Sequence, residues 1–157
     1  MKIAMGSDHA GFVLKEELKT FVQSLGHEVI DVGTHSTDSV DYPDFAEKLG
    51  VLIITGKVDR GILLCGSGIG ASVAANKIPG VRAGNCEDYY SAHQGVEHDA
   101  MNVLVLGGRV VGGALAQDMV RGYLAAEYTN EERHARRLSK VHSIEDRREE
   151  FLAMAAK

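Results

Sequence analysis

The sequence is poor in cysteine and proline and has no long apolar run. Its 157 residues include only 2 cysteines and 2 prolines. So few cysteines form neither a disulfide framework nor a cysteine metal site, so we expect a reducing, cytoplasmic compartment. The scarcity of proline argues against a stiff linker. The apolar stretch at the N-terminus is too short for the core of a signal peptide, and no segment is apolar enough to cross a membrane.

The charge balance gives no support for a nucleic-acid partner. The formal net charge is −5 at pH 7, whereas affinity for nucleic acid depends largely on neutralising phosphates with lysine and arginine. A local basic cluster could still hold a single phosphate group. The hydrophobic and charged fractions, 45% and 25%, are typical of a globular protein, and the length suits one domain.

Short apolar segments alternate with helical patterns along most of the chain. The predicted strands are 3–5, 29–32, 61–65, 81–86 and 103–106, and the predicted helices are 12–25, 45–54, 67–77, 88–97 and 114–126. Apolar strands that alternate with helices are typical of a parallel sheet covered on both faces. The sequence therefore predicts a three-layer α/β/α fold with a five-stranded, parallel, Rossmann-like sheet.

The last part of the chain has a different pattern. Thr129-Asn130-Glu131-Glu132 matches a capping box, which predicts a helix that starts at Thr129, and Ser143 predicts a second helix start. The basic side chains of this region share one face at spacings of three and four residues: Arg133, Arg136, Arg137 and Lys140. We expect a single domain over 1–157, with an α/β core at 1–128 and a C-terminal helical extension at 129–157.

The segment Cys65-Gly66-Ser67-Gly68-Ile69-Gly70 is the most informative pattern in the chain. It follows a predicted strand and enters a predicted helix. Glycines at alternate positions allow backbone N–H groups to converge, which favours an anion-binding turn. A cysteine at the edge of such a turn lies where the positive end of a helix dipole favours the thiolate. A tight turn beside a buried structural cysteine would, however, have the same residues.

Other Gly-rich motifs fit this segment less well. A P-loop needs lysine and then serine or threonine after its last glycine, and a cysteine phosphatase loop needs an arginine there, whereas Ala71-Ser72 follow here. Gly66-x-Gly68-x-x-Ala71, with Glu87 further on, matches a dinucleotide fingerprint only loosely. A nucleotide-binding domain stays open as an alternative. A thiol redox protein is disfavoured because the sequence has no CxxC motif.

Further polar residues flank the predicted strands. Asp8 and His9 follow the first strand, where Asp8 could N-cap the first helix and His9 could hold an anion. His98 and Asp99 precede the fifth strand, and a lone histidine there is more often structural than catalytic. Tyr42 taken alone is an ordinary turn residue. In parallel sheets, sites lie beyond the carboxyl ends of the strands, so chemistry is expected at that edge.

Taken together, these residues form an ordered set. It comprises Asp8-His9-Ala10-Gly11, Asp41-Tyr42-Pro43, the segment from Cys65 to Gly70, Ala74-Ala75-Asn76-Lys77, His98-Asp99, Asn102-Val103-Leu104, Gly108-Arg109-Val110-Val111-Gly112 and Arg133-His134-x-x-Arg137. The set resembles the type B ribose-5-phosphate isomerases, a family that includes galactose-6-phosphate and allose-6-phosphate isomerases. The resemblance extends over about residues 1–147.

The resemblance implies an aldose–ketose isomerase that interconverts ribose 5-phosphate and ribulose 5-phosphate through an enediolate. Allose 6-phosphate, galactose 6-phosphate or a tetrose phosphate is the alternative substrate. No metal or organic cofactor is implied. The family forms homodimers, often paired into tetramers, with the site at the subunit boundary. We therefore expect Cys65 from one chain to meet His98, with Arg109, from its partner.

The resemblance also implies a role for each matching residue. Cys65 is the base that moves a proton between C1 and C2, His98 opens the sugar ring, and Ser67 assists. The other matches are substrate-binding positions: Asp8, His9, Tyr42, Gly66, Ser67, Gly68, Ile69, Gly70, Asp99, Arg109, Arg133 and Arg137. Within that set His9, Arg133 and Arg137 bind the phosphate. The glycine-rich main chain at 66–70 stabilises the enediolate.

The sequence departs from the family pattern at a few positions. Ser67 stands where threonine is more usual, and Glu131-Glu132 replace a Gly-Gly pair. Asp99 stands where an asparagine usually follows the histidine. An asparagine amide can donate to a sugar oxygen, whereas an ionised aspartate can only accept. This change bears on the identity of the sugar more than on the reaction.

Overall fold

The sheet has five parallel strands, as the sequence predicts. The computed structural model describes residues 1–155. The strands are β1 Lys2–Ser7, β2 Glu28–Asp31, β3 Arg60–Cys65, β4 Ala83–Asn85 and β5 Val103–Gly107, in the spatial order β2-β1-β3-β5-β4. Every neighbouring pair is parallel. The predicted α/β/α fold class is confirmed.

Helices cover both faces of this sheet. They are α1 Phe12–Ser24, α2 Tyr42–Ile54, α3 Ile69–Ala75, α4 Tyr89–Asp99, α5 Gly113–Ala125, α6 Glu132–Asp146 and α7 Arg148–Ala155. One core cluster joins the sheet to α1, α4 and α5, and the other joins it to α2 and α3. None of the helices described in residues 1–155 is both long and apolar enough to span a membrane.

Strands β3 and β5, in the interior of the sheet, are apolar along nearly their whole length because both of their faces are buried. Successive side chains of a strand point to opposite faces. Ile62 and Leu64 accordingly pack in the α1/α4/α5 core, whereas Leu63 and Cys65 pack in the α2/α3 core. The alternation fixes the face of the sheet on which the Cys65 thiol lies.

Strand order places a crevice at the carboxyl ends of β1 and β3. These strands are neighbours, but the chain leaves β1 into α1 on one face and leaves β3 into α3 on the other. Loops that diverge in this way open a crevice at a topological switch point, where open α/β sheets bind ligands. The loop after β5 lies beside it, because β5 pairs with β3.

Some element boundaries differ from those predicted. The helix predicted from residue 67 begins at Ile69, because Gly68 has φ of +83° and ends the preceding loop in the left-handed region. Ser67 is therefore a loop residue. The strand predicted over 81–86 contains only Ala83–Asn85, since the Arg82 N–H donates to the side chain of Asn102 instead of to a neighbouring strand (2.7 Å).

The predicted capping box at Thr129 is wrong. Helix α6 starts at Glu132 with Glu131 as its N-cap and no side-chain cap. The Thr129 hydroxyl instead donates to the carbonyl of Glu97 at 3.0 Å. The predicted helix start at Ser143 is also wrong, since Ser143 lies inside α6 and the chain breaks helix only at Arg147.

Candidate active site

A cavity of about 440 Å³ lies at the predicted edge of the sheet. It is lined by Asp8, His9, Ala10, Tyr42, Cys65, Gly66, Ser67, Gly70, Arg109 and Val110. These residues come from the end of β3, from the loops after β1, β3 and β5, and from the first turns of α2 and α3. We call Asp8, His9, Tyr42, Cys65, Ser67 and Arg109 the thiol cluster. The structure thus brings together residues that are widely separated in sequence.

Main-chain hydrogen bonds hold these loops against one another. The Gly108 N–H donates to Cys65 O at 2.8 Å, and the Arg109 N–H donates to Gly66 O at 3.0 Å. The Asp8 N–H donates to Leu64 O at 3.3 Å. Because these bonds involve backbone atoms, the positions of the loops do not depend on flexible side chains. The expectation that Arg109 reaches the thiol from a partner chain is wrong, since it lines the cavity of its own chain.

Cys65 ends β3 and is only 4% exposed. The Gly68 N–H donates to its Sγ at 3.2 Å, an interaction that strengthens when the acceptor is anionic. The Ile69 N–H donates to Ser67 Oγ at 3.3 Å. Of the predicted Gly-rich cradle, Gly66, Ser67 and Gly70 line the cavity. The loop therefore presents one supported thiol at the floor of an open pocket.

The second cysteine has a different environment. Cys86 is also a free thiol, but it lies in the opposite core beyond β4, among apolar side chains. Burial, with a smaller contribution from the charge of Asp88, raises the pKa of the Cys86 thiol to about 11. A thiol that stays protonated near neutral pH is a poor base and a poor nucleophile.

Asp8 and His9 form the wall of the cavity beside β1. The buried Asp8 carboxylate accepts from the N–H groups of Ala10 at 2.9 Å and Gly11 at 3.0 Å. It does not cap α1, whose N-cap is Gly11 without a side-chain cap. His9 Nδ1 accepts from the Val40 N–H at 3.2 Å. The proton of the neutral ring is then on Nε2, which leaves that nitrogen as a donor.

Tyr42 is the first residue of α2 rather than a turn residue. A Cβ atom added to Gly70 would lie 2.8 Å from the Tyr42 ring, so only glycine permits this close approach. The contact joins the start of α2 to the start of α3 above Cys65. It gives Gly70 a role in shaping the cavity wall.

The structure does not bring His98, Arg133 and Arg137 into this cavity. His98 lies near the end of α4, and its ring stacks on the ring of His134 from α6, with centroids 4.0 Å apart. Arg133 pairs with Glu131 at 2.9 Å, and Arg137 is exposed on α6. The charges of both arginines act on His134. We call His98, Arg133, His134 and Arg137 the histidine cluster.

Asp99 has a third location. It is the last residue of α4 and lines a separate cavity of about 250 Å³, together with Arg82, Cys86 and Ser91. Gly68 and Ile69, also predicted to bind substrate, do not line the larger cavity, and the Ile69 side chain is 57% exposed. Within one chain, the predicted site residues are therefore divided between the thiol cluster, the histidine cluster and the Asp99 cavity.

Sequence reasoning missed the contact between His134 and His98 and the part played by Thr129. In the sequence His134 stands beside Arg133 in a motif, and no local signal links it to His98 on another helix. Nor does any local signal point to Val110, an exposed apolar residue that lines the cavity. The histidine side chains could have been paired only from the packing of α4 against α6.

The chemistry that this arrangement supports is acid–base chemistry on a small polar ligand. Within residues 1–155, no group of at least three His, Cys, Asp or Glu side chains is placed to hold a metal ion. The cavity offers a thiol, a carboxylate, an imidazole donor and a guanidinium along its lining. A base and hydrogen-bond donors arranged in this way can move a proton between neighbouring carbons of a hydroxylated substrate.

Comparisons with known proteins agree with the resemblance. The ribose/galactose isomerase family matches residues 3–141. Ribose-5-phosphate isomerase B of Escherichia coli is 46% identical over 147 residues, which cover 94% of this chain and 98% of that protein. The structure of Clostridium thermocellum ribose-5-phosphate isomerase B is 50% identical, with a TM-score of 0.91, and the match covers 94% of this chain and 99% of that one.

A further relative has a different substrate in its name. D-erythrulose-4-phosphate isomerase of Pectobacterium atrosepticum is 40% identical over 129 residues, which cover 82% of this chain and 85% of that protein. The relatives thus agree on sugar-phosphate isomerisation while they differ in the sugar. Because the family match and these relatives extend over most of its length, the chain belongs to the ribose/galactose isomerase family.

Proposed function

We propose that this chain interconverts ribose 5-phosphate and ribulose 5-phosphate, with Cys65 as the base. The observation that carries the proposal is the Cys65 thiol at the floor of a cavity of about 440 Å³, with the Gly68 N–H on its sulfur at 3.2 Å. A cavity of this size suits a five-carbon sugar phosphate. The named substrates of the relatives from Escherichia coli and Clostridium thermocellum support the same choice.

The reaction divides into ring opening and proton transfer. His98, helped by Ser67, opens the cyclic aldose: the O1 hydroxyl loses its proton, the bond between C1 and the ring oxygen breaks, and the ring oxygen takes up a proton. The Cys65 thiolate then removes the proton from C2, and the electron pair forms the enediolate. The same thiol returns the proton to C1 while a proton moves between O1 and O2, so that the ketose forms and the thiolate is restored. Backbone donors of residues 66–70 stabilise the enediolate oxygen.

Asp8, Tyr42 and Arg109 hold the sugar, and His9 Nε2–H donates toward the phosphate. Arg133 and Arg137 supply the rest of the phosphate site. Binding energy from a phosphate that does not react can be used to orient the reacting carbons. The resemblance implies no metal or organic cofactor, and none of these steps draws on one.

The site is composite in this proposal. Cys65 and His98 belong to clusters that do not share a cavity within one chain, and Arg137 is exposed on α6. A homodimer, free or paired into a tetramer, would place the histidine cluster of one chain over the thiol cluster of its partner. A C2 interface does this at both sites at once. A cytoplasmic location and the division of the domain at residue 128 stay predictions.

Another phosphosugar is the second candidate. Asp99 can only accept hydrogen bonds when ionised, and it lies beside Arg82 in a cavity of its own. One relative, 40% identical to this chain, is named as the isomerase of a four-carbon sugar phosphate, D-erythrulose 4-phosphate. Galactose 6-phosphate and allose 6-phosphate are the six-carbon alternatives.

A coupled assay over a panel of sugar phosphates tests the proposal. The panel contains ribose 5-phosphate, erythrose 4-phosphate, allose 6-phosphate, galactose 6-phosphate and ribose without phosphate. We expect the highest kcat/KM for ribose 5-phosphate and a very low value for ribose. A higher kcat/KM for another phosphosugar would identify that sugar as the substrate of the same type of reaction. Activity on none of the panel would contradict the proposal.

A further inference from the structure

His98 is held by a neighbour that the reaction scheme does not use. The rings of His98 and His134 stack with centroids 4.0 Å apart and an interplanar angle of 28°. His98 Nδ1 is in turn 2.7 Å from Gln94 Nε2 on the preceding turn of α4. With the amide as donor, Nδ1 is the acceptor and Nε2 is the nitrogen left for the substrate. The face and one edge of the ring are thus fixed by neighbours.

A hydrogen-bonded relay fixes His134 itself. The Thr129 hydroxyl donates to Glu97 O at 3.0 Å, and the Thr129 N–H donates to the same oxygen at 3.1 Å. Glu97 O is one of the last carbonyls of α4, which have no partner within the helix. Since the hydroxyl proton is used there, Thr129 Oγ1 accepts from His134 Nδ1–H at 2.8 Å. The relay connects the helix end beside His98 to the ring beneath it.

His134 is buried beneath His98. It is 1% exposed, and among residues 1–155 its Nε2 has no hydrogen-bond partner. Burial first, and then the charges of His98, Arg133 and Arg137, lower the pKa of His134, while Glu131 opposes them. The surroundings of His134 thus disfavour a second cation stacked against His98.

We propose that His134, anchored through Thr129 to the Glu97 carbonyl, is a positioning residue that orients His98 for ring opening. This inference rests on the proposed function, because it needs His98 to be the ring-opening group. It adds a residue that contacts no substrate and acts only through another side chain.

Comparing the whole reaction with its proton-transfer half separates positioning from a general structural role. Ribose 5-phosphate is cyclic in solution and must be opened, whereas ribulose 5-phosphate is acyclic because its O5 carries the phosphate. The fixed equilibrium constant ties kcat/KM in the two directions together, so a misplaced His98 should slow both. In D2O, however, the exchange of a C1 hydrogen of ribulose 5-phosphate needs only enediolate formation, and a misplaced His98 should spare it. Loss of folded protein or a distorted Cys65 pocket would lower isomerisation and exchange by the same factor.

The experiment measures the isomerisation of ribose 5-phosphate and the C1 hydrogen exchange of ribulose 5-phosphate in D2O for variants of the full chain. We expect His134→Ala to slow isomerisation by about 100-fold, a loss that a displacement of about 1 Å can cause. The exchange should fall by no more than about threefold. His134→Phe keeps a ring beneath His98 and should show a smaller difference between the two rates than His134→Ala. Equal loss of both rates, or a difference as large in His134→Phe, would overturn the proposal.

Further variants keep the test decisive if His134→Ala does not fold. Thr129→Val keeps the shape of the side chain but removes the hydroxyl. It should also slow isomerisation more than exchange, in smaller degree, and equal loss of the two rates would contradict the relay. His93→Ala is the matched control, since His93 also lies on α4 and stacks on Tyr89 at 5.7 Å; neither rate should change. A wild type inactive on both sugars would refute the proposed function itself, whereas an active wild type whose variants lose both rates equally would refute only the role of His134.

Discussion

The thiol cluster and the histidine cluster are built in different ways. Main-chain hydrogen bonds between the loops after β1, β3 and β5 hold the thiol cluster around a cavity, and Cys65 itself is buried. Side chains on α4 and α6 form the histidine cluster, whose arginines are exposed. A single chain therefore contains the pocket around Cys65 but holds the proposed ring-opening and phosphate-binding groups elsewhere. The contrast suggests which step each half of the site serves.

The largest effect should come from the base. Cys65→Ala removes the group that moves the proton, so we expect turnover to fall by about 10³-fold or more. Binding of the sugar phosphate should persist, because the loops are held by backbone atoms. Steady-state kinetics and isothermal titration calorimetry measure the two properties. Turnover of the alanine variant near that of wild type would show that another group is the base.

The next effect should come from the phosphate-binding half. Arg137→Ala removes a charge-assisted contact to a group that does not react, so we expect KM to rise by about 10- to 100-fold with a smaller loss of kcat. Arg136→Ala is the control, because Arg136 lies one residue away but pairs with Glu132 on the exposed surface. An equal rise of KM in both variants would mean that α6 contributes only general positive charge.

A smaller effect is expected at Asp99. Asp99→Asn restores a donor, so the ratio of kcat/KM between five-carbon and other phosphosugars should change by about 10-fold, while the best kcat changes little. The assay is the substrate panel described above. Alternatively, Asp99 supports His98 through its charge. A pH–rate profile that shifts in the variant while the substrate ratios stay fixed would favour that second role.

The smallest effect should come from the other cysteine. Burial raises the pKa of the Cys86 thiol to about 11, so only about one thiol in a thousand is ionised at pH 8. Cys86→Ser should leave kcat and KM unchanged. Iodoacetamide at pH 8 should label Cys65 first and inactivate the wild type, with bound substrate slowing both events. Peptide mass spectrometry identifies the labelled residue, and early labelling of Cys86 would contradict the contrast between the thiols.

The thiol cluster could be predicted from the sequence because its members follow predicted strands. The carboxyl ends of parallel strands share one edge of a sheet, and Asp8, Cys65 and Arg109 each stand just beyond such an end. The chain that supplies Arg109 could not be predicted in this way. Which chain supplies Arg109 depends on the pairing of β5 with β3, and the periodicity of the sequence does not determine the order of the strands.

The histidine cluster was harder to predict because its contacts join separate helices. The Thr129 hydroxyl matched a capping box, but it was used by the free carbonyl of Glu97 instead. The Thr129 hydroxyl thus makes a hydrogen bond to another helix in place of the local capping bond that the sequence pattern predicts. The stack of His98 on His134 depends on how α6 packs on α4, which no local pattern of the sequence specifies. The resemblance pointed to His98 as a site residue, whereas only the structure shows that His134 stacks on it.

Subunit complementation tests most directly whether the two clusters form one site across two chains. Cys65→Ala and His98→Ala proteins should each be nearly inactive with ribose 5-phosphate. In a mixed dimer, one site holds both wild-type groups and the other holds neither. A fully re-equilibrated equal mixture should therefore recover about a quarter of wild-type activity. Activity that stays at the level of the single variants, although native mass spectrometry shows mixed dimers, would contradict the account and place Cys65 and His98 in the same chain.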